Sequence, residues 1–298
     1  MGDSVAVVGP GSVGVFFAAH LAAVGRDVIA CARRPFDEYV VDSEVSPVRH
    51  PAHVVLDPGE LHDGPVDWVL VTVKAHQTQG ASPWLARLCG PNTVVVVIQN
   101  GIEGEERVQP FAGSAEVVPG TVYCGVELQE PGHVTHYASS HLFVPVRPSN
   151  ARLQNLFHGT PIKIIPAENY LTETWRKLGV NCAFNGVHAL TRRRFDVMGD
   201  PGVADVSRRV LAEAWAVAAA CGAELSADDV DPLIDAVVAS KPRGATSMFY
   251  DRMAGRPTEH DALYGCVVRA GRRVGVPTPL HEVFDALLAA GDDSPAHS

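Results

Sequence analysis

The chain lacks the features that mark nucleic-acid-binding and membrane proteins. Lysine and arginine number 24 against 34 aspartates and glutamates, which gives a formal net charge of −10 with neutral histidine. Because binding to a polyanion depends on surplus positive charge, we expect no nucleic-acid partner. No apolar run approaches the roughly 18 residues that span a bilayer, and no basic region precedes the first apolar stretch. We therefore expect a soluble, cytoplasmic protein without a membrane partner.

Patterns of cysteine and histidine that would hold a disulfide framework or a metal are also missing. The six cysteines lie far apart and form no C-x-x-C pair, which is typical of reduced thiols in a cytosolic protein. The closest histidine pairs, His50 with His53 and His133 with His136, form no zinc-ligand pattern with neighbouring residues. We expect neither disulfides nor a metal.

Apolar residues are plentiful and arranged as in an α/β domain. The 298 residues, 46% of them hydrophobic, suffice for about two domains. The pattern predicts strands at 5–8 and 27–32 around an amphipathic helix at 13–24. The near-continuous apolar runs 66–73 and 93–98 predict central strands of a parallel sheet. The β-like runs within 117–146 predict added strands at the edge of that sheet.

Beyond about residue 166 the strand pattern gives way to alanine-rich helical segments. Glycine and proline separate these segments, and the polar tail 291–298 is expected to fray. The predicted fold is therefore an amino-terminal α/β domain of residues 1–167 followed by an all-α domain of residues 168–298. The predicted helices are 171–190, 203–220, 228–240, 259–274 and 280–290, with breaks at 199–202, 241–244 and 275–277.

A glycine-rich segment follows the first predicted strand and opens the first helix. This strand–turn–helix context favours a Rossmann-type dinucleotide site, because glycines allow a tight turn, a close approach of the backbone to a pyrophosphate, and close helix–strand packing. The helix N-terminus then faces the anion. A purely structural turn is the alternative. The predicted cofactor-binding residues here are Gly9, Pro10, Gly11, Ser12, Val13 and Gly14.

The end of the second strand indicates which dinucleotide binds. Where an NAD-binding fold places an acidic residue on the ribose, this chain reads Ala32-Arg33-Arg34-Pro35. Guanidinium groups there would attract a 2′-phosphate through charge-assisted hydrogen bonds, so NADPH is the predicted cofactor, with Arg33 as a binding residue. The alternative is that both arginines only solvate the strand end.

Two more strands end in polar side chains. Lys74 follows the strand at 66–73, and Asn100 with Gly101 follows the strand at 93–98. Because open α/β sheets bind ligands beyond the carboxyl ends of their strands, Lys74 and Asn100 are predicted to reach the cofactor. A solvated strand end for Lys74 and a turn asparagine for Asn100 are the alternatives.

Three polar residues share one face of the helix predicted at 171–190. Lys177, Asn181 and Asn185 are spaced at i, i+4 and i+8 among apolar neighbours. A lysine in such surroundings loses solvation, which lowers its pKa and suits it to general acid catalysis. Exposed surface residues are the alternative. Further along, Glu259 lies at a predicted helix start, where a carboxylate is favoured for structural reasons alone, and Ser247 by itself is uninformative.

Together these segments resemble the ketopantoate reductase family over nearly the whole chain. The similarity rests on GPGSVG, VTVKAHQT, VVVVIQNG, WRKLGVNCAFN, TSMFYDRMAGRPTEHDALYG and GVPTPL, in the family's order. It implies a Rossmann-type domain and a helical domain with the active site in the cleft between them. It also implies that NADPH reduces the 2-keto group of ketopantoate to give pantoate, a precursor of pantothenate and coenzyme A.

The resemblance further implies roles for individual residues. Lys177 would protonate the ketone oxygen, with Glu259 as its catalytic partner, and Arg33 and Lys74 would serve the cofactor. The substrate-binding residues would be Asn100, Asn181, Asn185 and Ser247.

The chain departs from the family after Asn185. Where the family commonly has proline-leucine-threonine-alanine-leucine, this chain reads Gly186-Val187-His188-Ala189-Leu190. His188 either faces the substrate, where it would alter the preferred keto acid, or faces a neighbouring helix. Three alternatives stay open: a related reductase of another keto acid, a reductase of a 3-hydroxy acid or imine, and a non-catalytic NADPH-binding redox sensor. The oligomeric state also stays open, and a homodimer is compatible with the sequence.

Overall fold

The chain divides into two units. The computed structural model describes residues 3–62, 64–138, 140–240 and 244–292. The first unit contains Met1–Gln99 and Glu103–Tyr170, and the second contains Asn100–Ile102 and Leu171–Ser298. Compared with the division expected between 167 and 168, three further residues remain with the first unit. The short segment after the strand at 93–98 is counted with the second unit, which matters for the site described below.

A parallel six-stranded sheet forms the centre of the first unit. The strands that contain Trp68 and Val94 consist of apolar residues, and every residue in them is buried. This confirms the central position predicted for 66–73 and 93–98, since strands covered on both faces need continuous apolar runs. The strand order is β5 (His53–Val55), β2 (Asp27–Cys31), β1 (Ser4–Val8), β6 (Trp68–Val71), β7 (Val94–Val97) and β8 (Glu116–Pro119).

The strands predicted within 117–146 do not all extend this sheet, and that part of the prediction is wrong. Only β8 adds to its edge. The other strands of this region pair with one another and with segments that were not predicted as strands, and so form two smaller sheets. One sheet has the order β10 (Val126–Glu130), β11 (His133–His136), β3 (Glu38–Asp42), β4 (Val48–Pro51), and the other has the order β13 (Ile162–Ala167), β12 (Ser140–Pro145), β9 (Thr121–Tyr123).

Helix α1 (Ser12–Ala23) begins four residues after β1 ends, as predicted. It is not amphipathic, because every residue from Gly14 to Ala22 is buried. The helix packs against β1 and β2 of the six-stranded sheet and also against all four strands of the smaller sheet that contains β3. An apolar surface all round a helix is the pattern expected when both sides are covered. The other helices of this unit are α2 (Ser82–Leu88), α3 (Gly104–Ala112) and α4 (Asn150–Leu156).

The described residues of the second unit are helical, which confirms the all-α prediction. Their core includes Trp175, Trp215 and Tyr264, all nearly or fully buried. Within the described residues, no helix combines the length and apolar character needed to cross a lipid bilayer. The helices are α5 (Tyr170–Thr191), α6 (Pro201–Ala220), α7 (Val230–Ser240), α8 (Ser247–Met253), α9 (Cys266–Val274) and α10 (Pro279–Asp292).

Three details of the second unit differ from the predicted helices. Helix α8 was not predicted, and the segment predicted as a single helix at 259–274 includes a π-helical turn at Asp261–Gly265 before α9. The tail was expected to fray from Gly291, but Gly291 and Asp292 form the end of α10. Residues 241–243 of the predicted break and residues 293–298 of the tail lie outside the described residues.

Candidate active site

The glycine-rich loop of the first unit is packed so tightly that two of its positions admit only glycine. Gly9 has φ +85°, and a Cβ built on it would lie 2.3 Å from Val73 Cγ1. A Cβ on Gly14 would lie 2.5 Å from Thr72 Oγ1 and 2.9 Å from the Gly9 carbonyl oxygen. The Thr72 hydroxyl donates a hydrogen bond to that same carbonyl at 2.8 Å. The loop between β1 and α1 is therefore fixed against the end of β6.

The middle glycine has a different environment, which suits a pyrophosphate. A Cβ on Gly11 would have only the Gly9 carbonyl oxygen within reach, at 4.0 Å, so its face of the loop is open. No side chain caps the N-terminus of α1, and no acidic residue lies in its first turn. The backbone N–H groups at a helix N-terminus attract anions. These residues fit the diphosphate of a dinucleotide.

Two of the three other predicted cofactor residues follow strands of this sheet, and the third, Asn100, belongs to the second unit. Strands β2, β1 and β6 are parallel neighbours, so their carboxyl ends lie side by side. Arg33 follows β2 and is exposed, the glycine-rich loop follows β1, and Lys74 follows β6 and is half-buried. The topology thus brings an exposed guanidinium and an ammonium group to the edge that carries the glycine-rich loop.

In the second unit, the side-chain amide of Asn100 joins three other predicted site residues. Its Oδ1 accepts hydrogen bonds from Lys177 Nζ at 3.4 Å and from Asn181 Nδ2 at 3.5 Å. Its Nδ2 donates to Glu259 Oε2 at 2.9 Å. The ammonium group requires an acceptor and the carboxylate requires a donor, so the network itself determines the orientation of the amide.

Burial strengthens the electrostatics of this cluster. Glu259 is only 5% exposed, and Lys177, Asn100 and Asn181 are half-buried. Charges interact more strongly where water is excluded. A cation that can donate a proton, a carboxylate and two amides are therefore held within one hydrogen-bonded group, which is suited to binding and protonating a polar substrate.

The backbone after Asn100 is shaped for this arrangement. Gly101 has φ +94°, a backbone conformation that favours glycine. A Cβ on Gly101 would lie 2.4 Å from the carbonyl oxygen of Ala262, in the π-helical turn just after Glu259. Only glycine allows the segment carrying Asn100 to approach the segment carrying Glu259 this closely.

Two predicted site residues, Asn185 and Ser247, are not part of this hydrogen-bonded cluster. Asn185 is buried on α5, one turn beyond Asn181, and Ser247 is exposed at the first residue of α8. Among the described residues, neither side chain makes a hydrogen bond to Asn100, Lys177, Asn181 or Glu259. The described residues also contain no group of three histidine, cysteine, aspartate or glutamate side chains placed to hold a metal ion.

His188 is fully buried in contact with an aromatic ring. It is 0% exposed, and its ring centroid lies 4.4 Å from that of Phe195 in an edge-to-face arrangement. Both ring nitrogens lack a hydrogen-bond partner among the described residues. Burial lowers the pKa of His188 to about 4, although nearby Asp196 opposes the shift. The ring is therefore neutral near pH 7.

A feature of α5 that spacing did not indicate is a side chain inserted into the helix. The Tyr264 hydroxyl accepts a hydrogen bond from Gly186 N at 2.7 Å and donates one to the Cys182 carbonyl at 2.6 Å. An uninterrupted helix would join these two backbone groups directly. Cys182 and Gly186 each follow an asparagine of the polar stripe, Asn181 and Asn185, by one residue.

Comparison with known proteins assigns the family. Residues 5–148 match the model described as ketopantoate reductase PanE/ApbA, and residues 169–291 match the model for the C-terminal part of that family. The chain belongs to the ketopantoate reductase family. Both family models together span the glycine-rich loop and every residue of the Asn100 cluster.

Individual members of the family align over the full chain. The chain is 39% identical over 296 residues to a 2-dehydropantoate 2-reductase of Mycobacterium tuberculosis, covering 99% of this chain and 100% of the relative. It is 38% identical to a 2-dehydropantoate 2-reductase of Caulobacter vibrioides, covering 96% and 98%. The structure of a PanE/ApbA family ketopantoate reductase from Ralstonia eutropha JMP134 has a TM-score of 0.87 at 30% identity, covering 97% of this chain and 98% of that one.

Proposed function

We propose that this member of the ketopantoate reductase family uses NADPH to reduce a 2-keto acid to a 2-hydroxy acid, with ketopantoate as the substrate and pantoate as the product. The observation that carries the proposal is the hydrogen-bonded group in which Asn100 connects Lys177, Asn181 and Glu259. It supplies a proton donor beside amides that can hold the polar groups of a keto acid.

The first unit would bind the cofactor. The backbone of the loop from Gly9 to Gly14 would hold the diphosphate, Arg33 would bind the 2′-phosphate, and Lys74 would contribute a second positive charge. When bound, NADPH supplies the hydride that adds to the keto carbon. The preference for NADPH over NADH rests on Arg33 and its exposed neighbour Arg34, since no carboxylate precedes them to bind a ribose diol.

The second unit would supply the proton and the substrate contacts. As hydride adds to the keto carbon, the Lys177 ammonium group donates a proton to the keto oxygen, so the carbonyl becomes a secondary alcohol. Glu259 accepts from the Asn100 amide, whose oxygen accepts from Lys177, and so would orient the donors around the substrate. Asn100, Asn181, Asn185 and Ser247 would bind the carboxylate and hydroxyl groups of the substrate.

The decisive experiment follows NADPH absorbance with ketopantoate and with 2-keto acids that lack its hydroxyl group or its branched carbon. The proposal expects turnover with ketopantoate at the highest kcat/KM of the panel, and weaker activity with NADH. Higher kcat/KM on another keto acid would retain the reaction class and overturn the substrate. Cofactor binding without turnover would instead favour the redox sensor. A homodimer stays a prediction, which sedimentation equilibrium would test.

A further inference from the structure

Both sequence neighbours of Glu259 are bound by carboxylates of a single helix. The backbone N–H and the hydroxyl of Thr258 each donate to Asp292 Oδ2 at 2.8 Å. On the other side, His260 Nδ1 lies 2.6 Å from Asp285 Oδ1. Asp285 and Asp292 both belong to α10. Glu259 therefore lies between two residues that are anchored separately.

The spacing of Asp285 and Asp292 along α10 allows both to bind the segment Thr258–His260. Residues at i and i+7 lie on the same face of a helix, two turns and about 10 Å apart. Asp285 and Asp292 thus present two carboxylates from one rigid surface, one to each side of the segment Thr258–His260. A helix holds the two anchors at a fixed separation, which a loop would not do.

The Asp292 anchor is itself fixed by a buried ion pair. Arg252 Nη1 lies 3.1 Å from Asp292 Oδ1, and both side chains are only 11% exposed. Arg252 Nη2 also donates to the Leu288 carbonyl at 3.1 Å, in the last turn of α10. Thr258 is 3% exposed. Hydrogen bonds to a charged acceptor in such surroundings are strong and directional.

The hydrogen bond between Asp285 and His260 also involves a charged group. Its hydrogen bond raises the pKa of His260 above the ordinary value, although partial burial acts in the opposite direction. The imidazole therefore retains a proton to higher pH than an isolated histidine. A protonated ring beside a carboxylate makes a stronger bond than a neutral pair would.

Glu259 lies directly between the two residues that α10 binds. The residue precedes the helical turn at Asp261–Gly265, and its carboxylate must reach Asn100 Nδ2 at 2.9 Å. We propose that Asp285 and Asp292 are positioning residues that hold the Glu259 carboxylate against Asn100. This proposal rests on the proposed function, in which Glu259 serves the reduction.

The kinetic experiment compares wild type with Asp285→Ala and Asp292→Ala. Since a misplacement of about 1 Å can cost about a hundredfold in rate, we expect kcat with the keto acid to fall by at least about tenfold. The Kd for NADPH, measured by fluorescence titration, should stay within about twofold of wild type, because the cofactor loop belongs to the first unit. Glu282→Gln removes an exposed carboxylate of α10 that bonds to Arg272 and should leave kcat unchanged. Equal losses in all three variants would overturn the proposal.

A gentler pair of variants keeps the test valid if Asp292→Ala folds poorly. Thr258→Val removes the hydroxyl that donates to Asp292 and preserves the shape of the side chain, whereas Thr258→Ser retains the hydroxyl. The proposal expects a lower kcat for Thr258→Val and recovery of most of it in Thr258→Ser. Indistinguishable activities of the two variants would contradict it.

Double variants separate positioning from a general loss of stability. If the aspartates act through Glu259, then Asp292→Ala should change activity by less than about twofold when Glu259→Gln is already present. A loss that multiplies with that of Glu259→Gln would show that Asp292 acts independently, and would overturn the proposal.

A spectroscopic measurement makes the result independent of turnover. In protein labelled with 15N-asparagine, the side-chain signal of Asn100 is identified by its absence in Asn100→Asp. We expect Asp292→Ala and Asp285→Ala to shift this signal toward its position in Glu259→Gln, while Glu282→Gln leaves it unmoved. An unmoved signal in the aspartate variants overturns the positioning role. The expected shifts in a protein that reduces no keto acid would overturn only the proposed function.

Discussion

Tyr264 and Gly186 meet inside helix α5, where the tyrosine hydroxyl accepts the glycine N–H at 2.7 Å. The ring is 0% exposed and stacks on Phe284 with centroids 5.2 Å apart. A Cβ on Gly186 would lie 2.3 Å from the hydroxyl oxygen, so the contact requires glycine. Glycine also retains a backbone N–H group, which a proline would lack. Tyr264 provides the acceptor that this N–H group needs.

Tyr264→Phe should therefore destabilise the protein. The variant leaves Gly186 N and the Cys182 carbonyl without the hydroxyl between them, and we expect a loss of about 1–3 kcal/mol in the free energy of unfolding. Urea unfolding followed by tryptophan fluorescence measures it. Tyr137→Phe is the matched control, because that hydroxyl donates to Glu127 on the surface; its effect should stay within about 0.5 kcal/mol. Equal effects of the two variants would contradict a structural role for the inserted hydroxyl.

The glycine-rich loop permits a second pair of variants that separates folding from cofactor binding. Gly14→Ala introduces a Cβ 2.5 Å from Thr72 Oγ1, whereas the nearest atom to a Cβ on Gly11 is 4.0 Å away. We expect Gly14→Ala to lower the thermal midpoint. Gly11→Ala should preserve the midpoint and weaken NADPH binding, because the added methyl group would occupy the side approached by the diphosphate. Unchanged NADPH affinity in Gly11→Ala would argue against this loop as the diphosphate site.

Removal of Lys177, the proposed proton donor, should affect chemistry rather than cofactor binding. Lys177→Ala is expected to lower kcat by at least about a hundredfold, since positioned acid catalysis contributes about 10² to 10⁴ in rate. The Kd for NADPH should change little. Arg176→Ala removes the neighbouring cation, which pairs with Glu173, and should retain most activity. A Lys177→Ala enzyme with near-normal kcat would refute the assigned role.

The parts of the fold and site that sequence predicted are those governed by local pattern. The apolar runs at β6 and β7 and the helical spacing of Lys177 and Asn181 depend only on nearby residues. The glycine-rich loop was equally visible, because its glycines follow directly from the strand–turn–helix context. In contrast, the pairing of β11 with β3 joins residues more than 90 positions apart. No local signal specifies that pairing, so the strands of this region were assigned to the wrong sheet.

The end of α10 shows the same limit within the second unit. Residues 291–298 are polar, and polarity at a terminus ordinarily indicates fraying. Asp292 is nevertheless ordered, because its carboxylate finds Arg252 and Thr258, which lie 40 and 34 residues earlier. A charged residue whose partners are distant in sequence cannot be distinguished from a solvated one by composition. The hydrogen bonds of Asn100 could likewise not be predicted, because their partners lie far away in the sequence.

The buried ring of His188 predicts sensitivity to acid. Burial lowers its pKa to about 4 from the ordinary value of 6.5. Between these two values the unfolded state binds more protons than the folded state, so stability is retained above pH 6.5 and falls as the pH drops toward 4. A shift of this size corresponds to up to about 3 kcal/mol.

His188→Leu removes the titrating group without adding a buried polar atom. We expect the variant to be close to wild type at pH 7 and more stable than wild type at about pH 4.5, in urea unfolding at both pH values. His158→Gln, a substitution on the surface, is the control and should follow wild type at both. Parallel loss of stability in His188→Leu and wild type would assign the acid sensitivity to other groups, among them His20 of the first unit, whose pKa burial also lowers to about 4.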